Sequence, residues 1–325
     1  MVNRVSSLIA VAICSVLMLG GCAQQPKEVF SATLPFKLET ARFGEGVAND
    51  GTNIYVFGGS RGGEWLDDVE IIDPTTKNIQ VLDDHIIPRR YFSAVYDEQG
   101  KIYLIGGISH ENGEFNYESR VEVFDTQSRM VTQVAPLPYP TRVNAAVYLD
   151  GKIYVMGGGH RDWETNDMKR SSLMAVYDVA TNTWSLAPPM PTARETAAVK
   201  HDGKIYVVGG YDGKGAVTAF ERYDPVTQVW DTLPDLPQPL SAHSAAVWRD
   251  QLFTFGHYTN LAASYVFDFT TQTWREAQLP LKDGRHNKAT TMGDNIYVIG
   301  GFTPDDAGLD LIQVFDEAAL KKAAD

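Results

Sequence analysis

Short apolar runs such as Ile-Tyr-Val recur along this chain, and most of them end in a pair of glycines. The pairs begin at positions 58, 106, 157, 209 and 300, with Gly256-His257 as a degenerate copy, so successive intervals are 48, 51, 52, 47 and 44 residues. A turn such as Asp-Gly-Lys commonly precedes the run, as expected for a strand of a hairpin. A period of about 50 residues predicts an array of repeated β-sheets of the kind that forms a propeller.

The rest of each repeat follows one template, which the third copy shows clearly. Arg142 opens the copy, and the Asp150-Gly151 turn leads into the strand that ends in paired glycines. An aromatic residue and Asp178 end a third strand, and Trp184 lies in the fourth. The other copies keep most of this pattern, although not every copy keeps the tryptophan. We therefore predict four strands per repeat and six repeats.

The sixth copy ends early, because helix-like residues follow Asp316 where a fourth strand is expected. An unassigned strand precedes the first repeat, at about residues 29–34. We expect this N-terminal strand to complete the last blade, which would close the ring and remove an exposed edge. The prediction is one all-β domain over residues 29–325, a six-bladed β-propeller.

The first 21 residues have the pattern of a secretory signal, with Arg4 followed by an apolar run that ends in Leu-Gly-Gly before Cys22. The run is too short and too often interrupted by serine for a membrane span. Leu-Gly-Gly-Cys resembles a bacterial lipobox, which implies a lipidated Cys22, a tether over residues 22–28 and an exported protein held at the outer membrane, facing the periplasm. An ordinary signal peptide with a chance cysteine is the alternative.

Charge and cysteine content narrow the possible chemistry. The formal net charge of −13 argues against nucleic acid or an anionic membrane surface as a partner. Both cysteines, Cys14 and Cys22, lie in the signal and at the lipid site. The body therefore has no disulfide, no cysteine nucleophile and no cysteine metal ligand.

Paired glycines, an aromatic-Asp pair and a downstream tryptophan at this period resemble kelch repeats over nearly all of the mature chain. The resemblance implies four-stranded blades stacked around an axis, with glycines where the innermost strands crowd together. Galactose oxidase is similar in shape, but its cysteine-linked chemistry is excluded here. An exported N-acetylneuraminate epimerase is also a six-bladed kelch protein, although no catalytic motif of it can be matched to this sequence.

An arginine opens most repeats, 15 or 16 residues before the glycine pair, and a ring would gather these residues into a basic collar at one mouth. Such a collar suits a carboxylate or phosphate, which accepts paired N–H bonds from guanidinium groups. Alternatively, each arginine is a kelch consensus residue that pairs with aspartates of adjacent loops. The collar comprises Arg42, Arg90, Arg142, Arg194 and Arg285. His243 and His286 lie beside the same position in neighbouring repeats, as general bases or as hydrogen-bonded structural residues.

The loops that follow the glycine pairs carry the remaining candidates, and the two long ones span residues 109–120 and 159–172. Aromatic rings beside polar groups suit the apolar face and hydroxyls of a sugar, or they pack their own loops. The candidates are Trp65, Tyr117, His160, Trp163, Tyr211 and His257. The histidines lack spacings such as HExxH, so we predict no metal site and no cofactor.

A full repeat array without a recognisable catalytic constellation favours a binding or scaffold module, with a peptide or carbohydrate ligand at one mouth. The alternative is an isomerase, a sugar-acid mutarotase or epimerase, which the arginine collar and the two histidines would suit. A third hypothesis is a structural role in the cell envelope without a small ligand.

Overall fold

A computed structural model describes residues 28–33, 36–162, 164–282, 284–305 and 308–324, and almost all of its regular structure is β-strand. In chain order the strands begin with β1 (Glu28–Thr33), β2 (Lys37–Arg42), β3 (Gly46–Asn49), β4 (Ile54–Arg61), β5 (Glu64–Asp73), β6 (Asn78–Leu82), β7 (Arg89–Arg90), β8 (Ser93–Tyr96), β9 (Lys101–Ile105) and β10 (Ile108–Glu111). They continue with β11 (Glu114–Tyr117), β12 (Val121–Asp125), β13 (Val131–Val134), β14 (Ala145–Leu149), β15 (Lys152–Met156), β16 (Gly159–Arg161), β17 (Met168–Arg170), β18 (Met174–Asp178), β19 (Thr183–Ala187) and β20 (Glu195–His201). The last are β21 (Lys204–Tyr211), β22 (Phe220–Asp224), β23 (Val229–Thr232), β24 (Ser244–Trp248), β25 (Gln251–Phe255), β26 (Ser264–Asp268), β27 (Thr273–Glu276), β28 (Lys288–Met292), β29 (Asn295–Ile299) and β30 (Leu309–Phe315), followed by α1 (Glu317–Ala324).

The strands form antiparallel sheets, one large sheet for each repeat. The orders of the large sheets are β1-β6-β5-β4-β3, β13-β12-β9-β8, β14-β15-β18-β19, β20-β21-β22-β23, β24-β25-β26-β27 and β2-β30-β29-β28. Two small sheets, β11-β10-β7 and β16-β17, occupy the segments that were expected to be long loops. Those segments, 109–120 and 159–172, are therefore hairpins, and none of the sheets closes on itself within the described residues.

In the first five repeats, the aspartate that ends the third strand forms the turn to the fourth strand. Asp224, for example, accepts hydrogen bonds from the backbone N–H groups of Val226 and Thr227, at 2.9 and 3.3 Å. These bonds, together with Lys204, lower the pKa of Asp224 to about 2. The repeated aromatic-Asp pair thus encodes a buried ring followed by an Asx turn.

The tryptophans of the fourth strands connect neighbouring sheets. The indole N–H of Trp184 donates to the carbonyl of Ala135 at 2.8 Å, and Trp230 and Trp274 make equivalent bonds to proline carbonyls at 3.0 and 2.9 Å. Each ring also packs on the aromatic residue that precedes the turn aspartate, as Trp230 does on Tyr223. One residue therefore supplies both buried apolar surface and a hydrogen bond between sheets.

The glycine doublets lie where another backbone passes very close. Gly210 has a φ of +122°, and a Cβ added there would lie 2.0 Å from the carbonyl oxygen of Glu195. No other residue type fits this position without displacing the backbone.

Buried apolar clusters fill the space between successive sheets. One cluster joins Tyr55 and Phe57 of the first sheet to Phe124 of the second, and another joins Leu38 and Tyr297 of the last sheet to the first. The innermost strands also contact one another in succession, from β3 through β8, β14, β20, β24 and β28, and β28 contacts β3. The core is thus divided among the faces between neighbouring sheets.

The N-terminal segment pairs differently from the expectation. The strand at about residues 29–34 was predicted to complete the last sheet, and this was wrong: β1 pairs with β6 as a fifth strand of the first sheet. It is β2 that pairs with β30 in the last sheet. Because β2 runs directly into Arg42, the last sheet and the first repeat are joined without an intervening loop.

Helix α1 follows the last strand, as the sequence predicted. The Asp316 carboxylate caps it by accepting the N–H of Ala319 at 2.9 Å, and Leu320 is buried against the fifth and sixth sheets. No helix within the described residues has the length and hydrophobicity needed to cross a membrane.

Candidate functional site

A cavity of about 630 Å³ lies where the innermost strands face one another. Small side chains such as Ala94, Ala146 and Ala245 line its wall, and charged and aromatic side chains gather where those strands begin. The volume falls in the range of about 300–1,000 Å³ that is typical of ligand sites.

A belt of backbone hydrogen bonds surrounds this end of the cavity. Tyr91 N–H donates to the carbonyl of Gly44 at 2.6 Å, Val143 to Tyr91 at 2.7 Å, and His286 to Ala242 at 2.8 Å. A longer bond of 3.4 Å runs from Gly44 to His286, between the first and last sheets. All five residues have a positive φ, which a β-branched residue such as Val143 rarely adopts, so the contacts between sheets impose this backbone conformation.

In four repeats the residue just before a member of the belt pairs with the residue that follows the glycine doublet, and Glu195 makes the same pairing in the fourth repeat. The pairs are Phe43–Ser60, Arg90–Ile108, Arg142–Gly159, Glu195–Tyr211 and Arg285–Phe302. Arginine therefore occupies this position in only three of these repeats. We call Arg90, Arg142 and Arg285, with Tyr91 and Glu195 between them, the arginine mouth.

The structure does not bring Arg42 and Arg194 into the arginine mouth. Each lies one residue earlier than the positions of Arg90, Arg142 and Arg285, and in extended backbone a shift of one residue turns the side chain to the opposite face. Both side chains are fully buried inside the sheets. The prediction that five equivalent arginines form one collar was therefore wrong for these two residues.

The buried arginines stabilise their own repeats through ion pairs. Arg194 Nε donates to the carbonyl of Gly209 at 2.8 Å, and its guanidinium lies 2.8 Å from the Glu221 carboxylate. Arg89, which the sequence analysis missed, pairs with Glu122 at 2.6 Å in the same way. Arg42 forms ion pairs with Asp68, at 2.8 Å, and with Glu70.

A signal for these pairs is present in the sequence. The position three residues before the turn aspartate holds glutamate in the first, second and fourth repeats, as Glu70, Glu122 and Glu221. Those are the repeats with a buried arginine. In the third repeat Thr141 takes the arginine's place and donates to the carbonyl of Gly157 at 3.2 Å, and no glutamate is needed.

Arg142 is the member of the arginine mouth that directly lines the cavity. Its guanidinium lies 3.3 Å from the Glu195 carboxylate, which Arg170 also approaches at 3.3 Å. Burial raises the pKa of Glu195, although both arginines oppose this change. One carboxylate thus faces two guanidinium groups, which leaves a net positive charge beside the cavity.

Arg90 and Arg285 lie against aromatic rings and pair with no carboxylate among the described residues. The Arg90 guanidinium is 4.4 Å from the centre of the Trp65 ring, and Arg285 is 4.0 Å from that of Tyr258. Arg285 also donates to the carbonyl of Tyr258 at 2.9 Å. These cation–π contacts fix the two guanidinium groups at the rim of the cavity.

The three arginines of the mouth share an unfilled hydrogen-bonding capacity. The Nε atoms of Arg90, Arg142 and Arg285 are buried and have no hydrogen-bond acceptor among the described atoms. Buried donors are almost always satisfied in folded proteins. The Nε atoms of Arg89 and Arg275 are unpaired in the same way, so the feature that distinguishes the arginine mouth is that three such donors gather beside one cavity.

The two predicted histidines line the cavity as neutral residues. Burial, together with the nearby charges of Arg285, Lys288 and Arg142, lowers the pKa of His286 to about 3. Burial likewise lowers the pKa of His243 to about 3; its Nε2 contacts the carbonyl of Val208 at 3.1 Å, while its Nδ1 has no partner among the described atoms.

The other sequence candidates are divided between the cavity and the surrounding hairpins. Tyr211 and His257 line the cavity, and His257 Nδ1 accepts the N–H of Ser241 at 3.0 Å. Tyr117 reaches the next hairpin, with its hydroxyl 4.0 Å from the Met168 sulfur, and His160 lies on β16, away from the cavity wall. Trp163 and Cys22 lie outside the described residues.

The acidic and histidine residues of the described segments form no cluster of three or more that would hold a metal ion. The site residues that sequence reasoning missed include Tyr91, Arg170, Lys288 and Glu195. They occur in single repeats, so comparison of the copies with one another does not reveal them.

Comparison with known proteins agrees with the repeat pattern and the fold. A family model described as the KLHDC2/KLHL20/DRC7 Kelch-repeats domain matches residues 77–257 and 189–321, which together span more than half of the chain, and a Kelch motif matches residues 41–78. The chain is 34% identical over 218 residues to Kelch-like protein terF of Aspergillus terreus, covering 62% of this chain and 47% of that protein.

Two vertebrate proteins show similar relationships. Kelch-like protein 25 of Xenopus tropicalis is 29% identical over 243 residues, with 73% of this chain and 41% of that protein covered. Kelch repeat and BTB domain-containing protein 12 of Danio rerio is 30% identical over 174 residues, with 48% and 28% covered. The matches span less than half the length of each of these relatives. By its repeats, its sheets and the matching family model, the chain belongs to the kelch-repeat family.

Proposed function

We propose that this chain is a protein-interaction module that binds an anionic segment of a peptide at the arginine mouth. The observation that carries the proposal is the group of buried Nε donors on Arg90, Arg142 and Arg285 that find no acceptor among the described atoms. An unsatisfied buried donor costs about 1–3 kcal/mol, which a ligand with carboxylate oxygens would recover on binding. Guanidinium groups also match the geometry of a carboxylate.

A peptide fits the mouth better than a carbohydrate does. A sugar would stack on exposed aromatic faces, but Arg90 lies over one face of the Trp65 ring and Arg285 lies over one face of the Tyr258 ring, although Tyr258 remains 52% exposed. His110 also stacks near Trp65, with 5.7 Å between ring centres. The rings position the arginines and leave the N–H groups for an anion. Neither the named relatives nor the geometry of the described residues supports the sugar-acid epimerase that the sequence left open.

The large sheets would act as six blades of one ring, closed where β2 pairs with β30. Two observations support this arrangement: the apolar cluster shared by the last and first sheets, and the contact of β28 with β3. Closure matters for function, because it sets the spacing of Arg285 from Arg90 and Arg142 around the mouth.

The module would be exported and held by lipid on Cys22 at the outer membrane, facing the periplasm. The support is the Leu-Gly-Gly-Cys sequence after an apolar run. Residues 22–27 would then separate the lipid from β1 at the edge of the first sheet. Incorporation of labelled palmitate that is lost in Cys22→Ser would support the anchor, and equal labelling of both proteins would refute it.

Peptide capture tests the binding proposal. The purified protein is incubated with a synthetic peptide library that has free carboxylates, and separately with the same library in which Asp, Glu and the C-terminus are amides. We expect capture from the first library only. For a captured peptide, Arg142→Ala should weaken binding about 10- to 100-fold, because a hydrogen bond to a charged group contributes about 1.5–3 kcal/mol.

Arg249→Ala is the matched control, because Arg249 is an exposed arginine that pairs with Asp294 and Glu317 away from the cavity. It should leave peptide affinity unchanged. Equal capture from the acidic and amide libraries would contradict the proposal. So would equal weakening by the Arg142 and Arg249 substitutions, or hits on a glycan array without any peptide capture.

A further inference from the structure

The junction between the last and first sheets differs chemically from two other junctions around the cavity. Where β8 meets the third sheet, Ser93 Oγ donates to the carbonyl of Asn144 at 2.8 Å. Where β24 meets the sixth sheet, Ser244 Oγ donates to Asn287 Oδ1 at 2.6 Å. In each case the first residue of an innermost strand contacts the residue just before the next innermost strand.

At the junction of the last and first sheets, the same two places are held by Lys288 and Glu45. A lysine and a glutamate thus replace a serine and an asparagine, and Lys288 lines a cavity wall that consists mostly of small side chains. At the two junctions described above, small neutral residues hold these places. Ionisable groups are therefore not required to join two sheets at these places.

Lys288 and Glu45 are near enough for each charge to influence the pKa of the other, but neither side chain forms a hydrogen bond with the described residues. Lys288 lines the cavity, and its amine makes no hydrogen bond or close ion pair with the described residues. Glu45 is fully buried, and neither carboxylate oxygen has a hydrogen-bond partner among the described atoms. Gly300 lies against that carboxylate, where a side chain would collide with it. The acid is therefore held in place while its oxygens remain free.

Burial also favours the uncharged form of both groups. It lowers the pKa of Lys288 and raises the pKa of Glu45, while the attraction between the two opposite charges opposes both changes. The unprotonated form of an amine is a nucleophile, and a neighbouring carboxylic acid is a proton donor.

We propose that Lys288 forms a reversible imine with a small carbonyl compound that carries a carboxylate, such as a 2-oxo acid, and that Glu45 transfers the proton. The proposal goes beyond peptide binding, but the carboxylate preference rests on the positive charge of the proposed anion site. Arg142 lines the same cavity as Lys288, so both ends of such a molecule have a partner.

The step balances without an oxidant or a reductant. The Nζ lone pair attacks the carbonyl carbon, the C=O π electrons move to the oxygen, and one N–H proton passes from Nζ to that oxygen to give a neutral carbinolamine. Glu45 then protonates the hydroxyl group, the C–O bond breaks, water leaves, and a C=N bond forms to Nζ. Loss of the second N–H proton to the Glu45 carboxylate gives the imine, and water reverses the sequence.

Reductive trapping tests the proposal. The full chain is incubated with glyoxylate and cyanoborohydride, digested, and mapped by mass spectrometry. We expect Lys288 to be alkylated at least about 10-fold faster than Lys152, a lysine whose side chain is 47% exposed, because desolvation and a positioned acid both accelerate the reaction. This comparison uses the unaltered protein, so it does not depend on a variant that folds.

Variants assign the roles. Lys288→Met should abolish the fast alkylation, Glu45→Gln should slow it at least about 10-fold, and Lys152→Met should leave it unchanged. Alkylation of Lys288 no faster than that of Lys152 would overturn the proposal. An unaltered rate in Glu45→Gln would overturn the role of the acid. Loss of trapping with retained capture of acidic peptides would refute the imine and leave the proposed function intact.

Discussion

Replacement of Arg194 by methionine should destabilise the fold strongly, although the sequence suggests that this arginine is equivalent to Arg142. Methionine keeps most of the apolar stem but removes the guanidinium. The substitution deletes the bonds to the carbonyls of Gly209 and Thr192, at 2.8 and 3.2 Å, and the ion pair with Glu221 at 2.8 Å.

The expected loss in the free energy of unfolding follows from the groups that remain in Arg194→Met. Glu221 is only 3% exposed, so the substitution leaves a carboxylate buried without its partner. Breaking a buried pair in this way costs about 3–5 kcal/mol, a large fraction of the total stability of a typical domain. Arg142→Met should cost less than about 1 kcal/mol, because that side chain is 22% exposed and Arg170 remains beside Glu195.

Urea unfolding of the purified proteins, followed by tryptophan fluorescence and by circular dichroism, measures both effects. The double variant Arg194→Met/Glu221→Leu is the decisive control, because removal of both charges should recover most of the loss. Equal destabilisation by the Arg194 and Arg142 substitutions would refute the reasoning. So would a double variant that is no more stable than Arg194→Met.

Two further predictions concern the cavity wall and its glycines. His243 and His286 have pKa values of about 3 in the fold and 6.5 in an unfolded chain. The stability that their neutral forms contribute is therefore fully present above pH 6.5. It is lost as the pH falls toward 3, by up to about 5 kcal/mol for each histidine. Replacement of both by asparagine should flatten this part of the profile of unfolding free energy against pH, and an unchanged acid limb would contradict the assignment. Gly210→Ala should lower the free energy of unfolding in urea by about 3 kcal/mol or more, because its Cβ would lie 2.0 Å from the Glu195 carbonyl oxygen. Gly203→Ala, with nothing within 4 Å of its Cβ, should lower it by only about 1–2 kcal/mol. Equal losses would show that the close approach at Gly210 is not real.

Local sequence patterns predicted the elements of the fold well. The apolar run before each glycine doublet, the turn aspartate and the tryptophan of the fourth strand all recur at fixed offsets, so each copy supports the others. Asp224 bonds to the backbone of a turn two or three residues further along the chain, and Trp230 bonds to the neighbouring repeat. Such contacts leave a signature in every copy.

The partner of the N-terminal strand could not be read in the same way. Both β1 and β2 precede the first repeat, and both the last sheet and the first sheet offer a free edge. Which strand takes which edge depends on the backbone direction at Arg42, and that is fixed by contacts far away in sequence. Spacing from the tryptophans favoured the wrong strand.

The register of the arginines was ambiguous for a related reason. Arg89 and Arg90 are adjacent, so either one fits a template that counts back from the glycines, and in the fourth repeat Arg194 precedes Glu195. The arginines lie 15 or 16 residues before the glycine pairs, and this small variation concealed a shift of one position. The shift decides whether an arginine forms a buried ion pair or lies at the arginine mouth. The Lys288–Glu45 junction was equally hidden, because its two residues come together only when the last sheet meets the first.

A crystal structure of the protein with a peptide captured from the acidic library would test the binding account most directly. We predict carboxylate oxygens about 3 Å from Arg142 and from at least one of Arg90 and Arg285, with Arg194 still paired to Glu221 inside its sheet. A peptide bound away from these guanidinium groups, or an Arg194 side chain that reaches the ligand, would contradict the division of the arginines into structural and binding residues.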